Sequence, residues 1–363
     1  MYGLLIIFLA LLINLPGNMY QENMTENNNP FYGKYGTPFD VPDFNRIKNK
    51  HFMPAFEAGM EQQSNEVALI AYKDEEPTFE NVIVALDRSG ELLDRVSSVF
   101  FNLSSAHTND SIKAIAKEIA PKLAAHHDNI ALNEDLFRKV KSVYEKRDEL
   151  DLNTEEAMLL EKTYKNFVRG GANLEGKDKD RFREINKELS SLSVEFGENL
   201  LDETNAFQLV TKDKNDLAGL PGYVVDMGKA EADAAGIENA WVYTLQKPSL
   251  IPFLQYAENR ALREKIFKGY INRGDNNNDN DNKKVAARIA ALRVERANLL
   301  GFKTHAAYVL DNNMAKTPEQ VYKLMDRVWE AALPMAKAEA NDLQKMIEAG
   351  ANDFKLAPWD WWY

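Results

Sequence analysis

The sequence contains no cysteine. That excludes disulfides, thiolate metal sites and a cysteine nucleophile, and it removes the attachment point of a lipid-anchored export product. Either redox compartment is compatible with it. Basic charge is also in deficit, with 44 lysines and arginines against 56 acidic residues and a net charge of -12. So acidic a chain is poorly suited to a phosphate backbone, and nucleic acid is not expected as a partner.

Histidine is sparse. His51, His107, His126, His127 and His305 are the five present, and none is followed by glutamate. The His-Glu-x-x-His helix, which puts two histidines and a working acid on one metal-facing side, is therefore missing. His126 and His127 are adjacent and would project about 100° apart on a helix. They read as surface or satisfied core histidines rather than ligands.

Long hydrophobic runs are nearly absent too. The exception is Leu4 to Ile13 in "MYGLLIIFLALLINLPGNMYQ". It falls short of the ~20 residues of a membrane-spanning helix but suits the hydrophobic region of a secretory signal. No stable membrane span is expected. Residues 1–19 are read as an export signal with a periplasmic destination; a buried helix in a cytoplasmic protein is the alternative. Residues 20–44, rich in Asn, Pro and Gly, read as linker and surface-crossing coil.

What is present is helical pattern. At 363 residues, 45% hydrophobic, the chain can build a substantial core, and by length it is one large unit or two to three domains. From Thr78 to Leu103, the residues Val82, Leu86, Leu93, Val96, Phe100 and Leu103 mark one buried face, with Thr78 as N-cap. From Asp178 to Leu200, Phe182, Ile185, Leu189, Leu192, Phe196 and Leu200 do the same. In "KTPEQVYKLM", Thr317 is a cap, Pro318 opens a helix and Gln320 can return a hydrogen bond. Val321, Met325, Val328, Ala332 and Met335 follow, Pro334 is expected to bend the helix, and Gly350 to stop it.

Further helices are expected over Phe52–Ala71, Ser111–Ile130, Glu134–Leu150, Glu155–Arg169, Leu262–Asn272 and Lys284–Leu300. Only 206–211 and 240–246 alternate like strands, separated by a loop with Gly219, Pro221 and Gly222. The fold class is mainly α with at most a small two-stranded β-ribbon.

Two stretches approach known ligand motifs and miss. An EF-hand loop starting at Asp275 in "DNNNDNDNKK" would want Gly and Glu where Asn280 and Ala286 stand, so it reads as a solvated loop entering a helix. "GYVVDMGKA" (222–230) has one residue too many between its glycines for a phosphate loop, and Ala230 where a hydroxyl is needed. No Gly-x-Ser-x-Gly elbow is present.

Several ordered stretches nevertheless resemble one family. "PFDVPDFNRIKNKHFMPAFEAGM" (38–60), "PTFENVIVALDRSGELLDRV" (77–96), "APKLAAHHDNIALN" (120–133) and "INKELSSLSVEFGENLLDETNAF" (185–207) look like the N-terminal half of bacterial peptidyl-dipeptidases. "LRVERANLLGF" (292–302), "MAKTPEQV" (314–321) and "PWDWWY" (358–363) continue the match in order. These enzymes are zinc peptidases of the thimet oligopeptidase and neurolysin family.

The resemblance covers Pro30 to Tyr363 and implies an almost wholly helical body divided by a deep channel with zinc on its floor. Residues 45–355 would be the helical N-terminal domain forming a channel wall, and 356–363 the start of the catalytic domain. The substrates implied are short unfolded peptides, from whose free C-termini dipeptides are released. In such an enzyme zinc polarises the scissile carbonyl and acidifies its water, and the motif glutamate takes the proton.

Family members are longer and carry His-Glu-x-x-His and a further Glu ligand after the Pro-Trp-Asp-Trp segment. No catalytic, cofactor-binding or metal-ligating residue is therefore assigned to this chain. By itself it is expected to be an inactive monomer, with Trp359, Trp361, Trp362 and Tyr363 short of packing partners. A stand-alone helical peptide-binding or scaffold protein that lost catalysis is the alternative.

Overall fold

Helix starts in this chain are set largely by asparagine. Asn109, Asn133, Asn153 and Asn259 each sit in extended backbone and accept from amides of the first turn they open, satisfying donors that a helix leaves unpaired. The computed structural model describes residues 29–350 and 353–363. The export-signal reading of residues 1–19 and the first part of the linker reading fall outside them. Helices dominate, so the chain is mainly α as the periodicity implies. It divides into two compact units, the first ending at Asn173 and the second running from Leu174 to Tyr363.

In the first unit, residues 29–48 form only short turns, yet they are not loosely attached. Phe31 is fully buried, 5.4 Å by ring centroid from Phe52, and Arg95 Nη1 donates to the carbonyls of Phe31 and Gly33 at 3.1 and 3.0 Å. The segment read as surface-crossing coil thus contributes a core aromatic. Helix α1 (Phe52–Tyr72) packs against α2 (Glu91–Ala106). Gly59 permits this approach: a Cβ there would lie 3.0 Å from the Leu93 Cα. Phe100 then sits edge-on to Phe52 and Phe56 at 5.1 and 5.3 Å.

The helix expected from Thr78 to Leu103 is broken. Thr78 caps it as expected, its side chain accepting from Asn81 N. A wide π-type turn, Phe79–Val84, follows and runs into Ala85–Asp87. The chain then turns at Gly90, whose φ of 84° suits glycine, before α2 begins. The apolar spacing continues across the corner, which is why periodicity alone hides it. Helices α3 (Asp110–Ala131), α4 (Glu134–Glu145) and α5 (Thr154–Arg169) complete the unit. A core of Val82, Ile83, Leu136, Val140, Leu160 and Phe167 holds α4 and α5 to the π-type turn.

The second unit opens with α6 (Gly176–Ala206), which buries Phe182, Ile185 and Leu189. Ile185 and Leu189 meet Leu292 of α10 (Lys283–Leu299). Arg181 and Arg288 flank the seam with two-pronged ion pairs to Glu295 and Glu188.

The ribbon is shorter than its alternating pattern: β1 (Leu209–Thr211) runs antiparallel to β2 (Trp241–Tyr243), with Val210 opposite Val242. Between them the sequence reading expected a loop, and a helix stands there instead, α7 (Gly222–Ala234). Its two glycines weaken the helical signal, but Gly228 is required: a Cβ there would lie 2.8 Å from the Tyr243 ring. Leu209, Val224, Tyr243, Leu250, Phe253 and Ile266 form the core under α7, α8 (Lys247–Tyr256) and α9 (Arg260–Ile271).

After α10 come α11 (His305–Leu310) and α12 (Pro318–Ala349). Thr317 caps α12 by accepting from Gln320 N, and Gly350 follows its last turn, as expected. The helix runs on through Pro334. A short turn, Pro358–Asp360, packs on α9.

Candidate functional site

The most concentrated charge chemistry in the second unit joins α9 to the terminal turn. Arg260 and Arg263 lie three residues apart, on one face of α9. Both reach Asp360, which is 6% exposed. Arg260 Nε donates to Oδ1 and Oδ2 at 3.0 and 3.2 Å, and its Nη2 to Oδ2 at 2.9 Å. Arg263, 2% exposed, donates from Nη2 to Oδ1 at 3.0 Å and from Nη1 to the Ala257 carbonyl at 2.6 Å. Ala357 N also donates to Oδ2, at 3.0 Å. Burial pushes the Asp360 carboxyl up, but the bonds from Arg260, Arg263 and Ala357 outweigh it, and the group is held below its ordinary value.

Aromatic rings cover the cations. Tyr363 lies 3.9 Å over the Arg263 guanidinium and Phe354 lies 4.2 Å from that of Arg260. Trp359 packs against Phe267 with its centroid 6.2 Å away. Gln344 of α12 ties down the approach, donating to the Phe354 carbonyl at 3.2 Å and accepting from Leu356 N at 2.8 Å. The expectation that the terminal aromatics lack partners is therefore corrected for Trp359 and Tyr363. Trp361, Trp362 and Tyr363 nevertheless remain 41%, 51% and 60% exposed. The arrangement anchors; it presents no nucleophile and no general base.

Sequence reasoning missed Arg260 and Arg263. Their signal was an Arg-x-x-Arg step on a helix and one acid inside an aromatic run, and only folding joins them.

The histidines do not converge. His126 is buried in α3 with its Nε2 2.7 Å from Gln63 Oε1, and burial followed by the neighbouring His127 lowers its pKa. It is the satisfied core histidine of the sequence reading, while His127 is exposed. His51 Nδ1 accepts from Lys48 N at 3.1 Å. His305 has its pKa lowered by burial, then by Arg293 and Arg296.

The acidic-polar run 275–284 is the solvated loop expected, exposed from Asp275 to Asp279 and entering the helix at Asn282, and it arches over the buried Glu203. That buried carboxylate accepts from Gly274 N at 2.5 Å, Asn276 Nδ2 at 2.8 Å and Asn278 Nδ2 at 2.6 Å. Asp275 and Asp281 both pair with Lys283. Among the described residues no group of three or more His, Asp or Glu could hold a metal ion. The zinc that the resemblance implies does not fit the donors among the described residues.

Comparison with known proteins supplies what the site does not. Residues 253–363 match Peptidase family M3. The chain is 36% identical to dipeptidyl carboxypeptidase of Escherichia coli and 32% identical to that of Salmonella typhimurium, over 92% of its length in each case. It is 29% identical to oligopeptidase A of Haemophilus influenzae over 88% of its length. It spans about half the length of these relatives, 49% of the Escherichia coli protein. Residues 253–363 thus match Peptidase family M3, and the chain along most of its length is similar to dipeptidyl carboxypeptidase and oligopeptidase A.

Proposed function

We propose that this chain is part of a zinc-dependent peptidyl-dipeptidase that shortens unfolded peptides from their C-termini, and that these residues build a wall of its substrate channel. The observation carrying this reading is the 36% identity to a dipeptidyl carboxypeptidase over 92% of the chain. The described residues supply scaffold, and the metal ligands are assigned to polypeptide outside residues 29–363. No step of hydrolysis is therefore routed through a side chain named above.

The protein acts as a monomer. It is exported to the periplasm, a reading supported by the apolar run Leu4 to Ile13. No helix among the described residues is long and apolar enough to cross a membrane.

Reading the coding DNA past the Tyr363 codon tests the proposal. A frame that continues into a His-Glu-x-x-His helix is the expected result; a stop with no such motif in any nearby frame overturns it. As a second check, the purified chain should leave a short peptide with a free C-terminus intact, and chelator-sensitive cleavage would overturn its inactivity. A stand-alone scaffold gains support from the closed Arg260, Arg263 and Asp360 cluster. It requires that Trp361 and Trp362 resist a soluble fluorescence quencher, against their exposure of 41% and 51%.

A further inference from the structure

Phe39 is 101% exposed, and its backbone lies in the left-handed region with φ of 59°. That region disfavours a bulky side chain. A ring wholly in solvent returns no packing energy to offset the conformation, so its retention points to a use outside the chain's own core. The conformation is nevertheless locked. Asp40, at φ 54°, accepts through Oδ1 from Tyr35 N at 2.8 Å and Gly36 N at 3.3 Å. Tyr35 is buried with its ring centroid 6.4 Å from that of Phe31, which ties the loop to the core of the first unit. Val41 and Phe44, each 51% exposed, add apolar surface beside the tip.

The charge near this tip runs against that of the chain. Lys34, Arg46, Lys48 and Lys50 are exposed and make no ion pair among the described residues. Only two acids, Asp40 and Asp43, accompany these four cations in residues 34–50, although the whole chain carries a net -12. Asp40 is turned to the loop's own amides, and Asp43 accepts from Asn45 N at 3.2 Å. Charge farther off than about 8 Å is largely screened at physiological salt, so the local excess of cations decides what this loop attracts.

We propose that the loop Tyr35–Phe44 docks on an anionic phospholipid surface, with Phe39 entering the interface and Lys34, Arg46, Lys48 and Lys50 meeting the headgroups. An aromatic tip and unpaired cations supply the two weak signals that together hold a protein at a bilayer. Two copies meeting at this tip would instead set cation against cation. Phe39 follows the apolar run Leu4 to Ile13 by only 26 residues, so export through that run brings the loop to a membrane. For that delivery, though not for the docking, the inference rests on the export reading above.

The test is co-sedimentation of the full chain with vesicles of phosphatidylglycerol and phosphatidylethanolamine, against vesicles of phosphatidylcholine alone. Binding is expected on the anionic vesicles and should weaken as salt is raised. Phe39→Gly should cut it by more than about tenfold, while the Tm holds or rises because glycine suits the left-handed backbone. Arg46→Glu and Lys50→Glu should each weaken it by about tenfold. Leu69→Ser, which removes an apolar side chain 71% exposed near the other end of α1, should change it by less than about twofold.

Equal binding to both kinds of vesicle overturns the proposal, as does binding that Phe39→Gly and Lys50→Glu leave unchanged, which would assign it to the apolar run Leu4 to Ile13. A Tm lowered by Phe39→Gly would give the ring a structural role and overturn it too. So would a dimer by analytical ultracentrifugation that Phe39→Gly dissolves. Absence of the chain from the periplasmic fraction of cells would overturn the export reading alone and leave vesicle binding standing.

Discussion

Helices α1 and α12 are alike as sequences and opposite as structures. Both are long, and both set apolar residues at helical spacing. Yet α1 buries Phe52, Ala55, Phe56, Gly59, Val67 and Ala71, whereas α12 buries nothing. In α1 the glycine at the crossing lets another backbone close in, and three phenylalanine rings fill the seam. In α12 the equivalent apolar positions meet solvent. Amphipathicity therefore says that a face will be covered; it does not say by what.

The contrast is sharpest where most area is buried. Phe56→Ala in α1 should destabilise the first unit by about 4 kcal/mol, the size of a buried aromatic deletion with its cavity. Urea unfolding followed by circular dichroism would read it as a lowered midpoint, and an unchanged midpoint would mean that α1 is no more essential to packing than α12.

Asp360→Ala should cost the second unit about 3 kcal/mol, because Arg263 is left buried without its counter-charge. Asp360 is held below its ordinary value of 3.8, so the stability it contributes is present above that pH and is lost as pH falls through the folded-state value. The difference between wild type and Asp360→Ala should accordingly shrink on acidification. A gap independent of pH would remove the carboxylate from the explanation.

Tyr243→Phe is expected to be neutral or to stabilise by up to about 1 kcal/mol. The hydroxyl is buried without a partner among the described residues, and burial pushes its pKa up to about 12. Thermal unfolding would detect the change. Smallest of all, Trp329→Gln in α12 should move the midpoint by less than about 0.5 kcal/mol, as for an exposed site. A loss near that of Phe56→Ala would abolish the contrast between the helices.

What could be read from the sequence was whatever is encoded locally. Phe182, Ile185 and Leu189 predict the buried face of α6, and Thr317, Pro318 and Gly350 bracket α12 almost to the residue. These signals need only a helix's own period and its own orphan amides. The corner at Gly90 escaped because Leu86 and Leu93 keep the apolar rhythm on either side of it. Helix α7 escaped because Gly222 and Gly228 look like loop residues until Tyr243 is seen against the second of them. The cluster of Arg260, Arg263 and Asp360 was beyond reach for a different reason: its members are about a hundred residues apart, and no periodicity spans such a gap.

That separation also sets an order of assembly. Arg263 precedes its carboxylate partner by 97 residues. At the 5–20 residues per second of a working ribosome, α9 emerges roughly 5–20 s before Asp360 exists. During that interval a guanidinium destined for the interior has no counter-ion, so water must remain around it and this part of the second unit stays open. The aromatic residues around Asp360 thus act as a latch on helices made well before them.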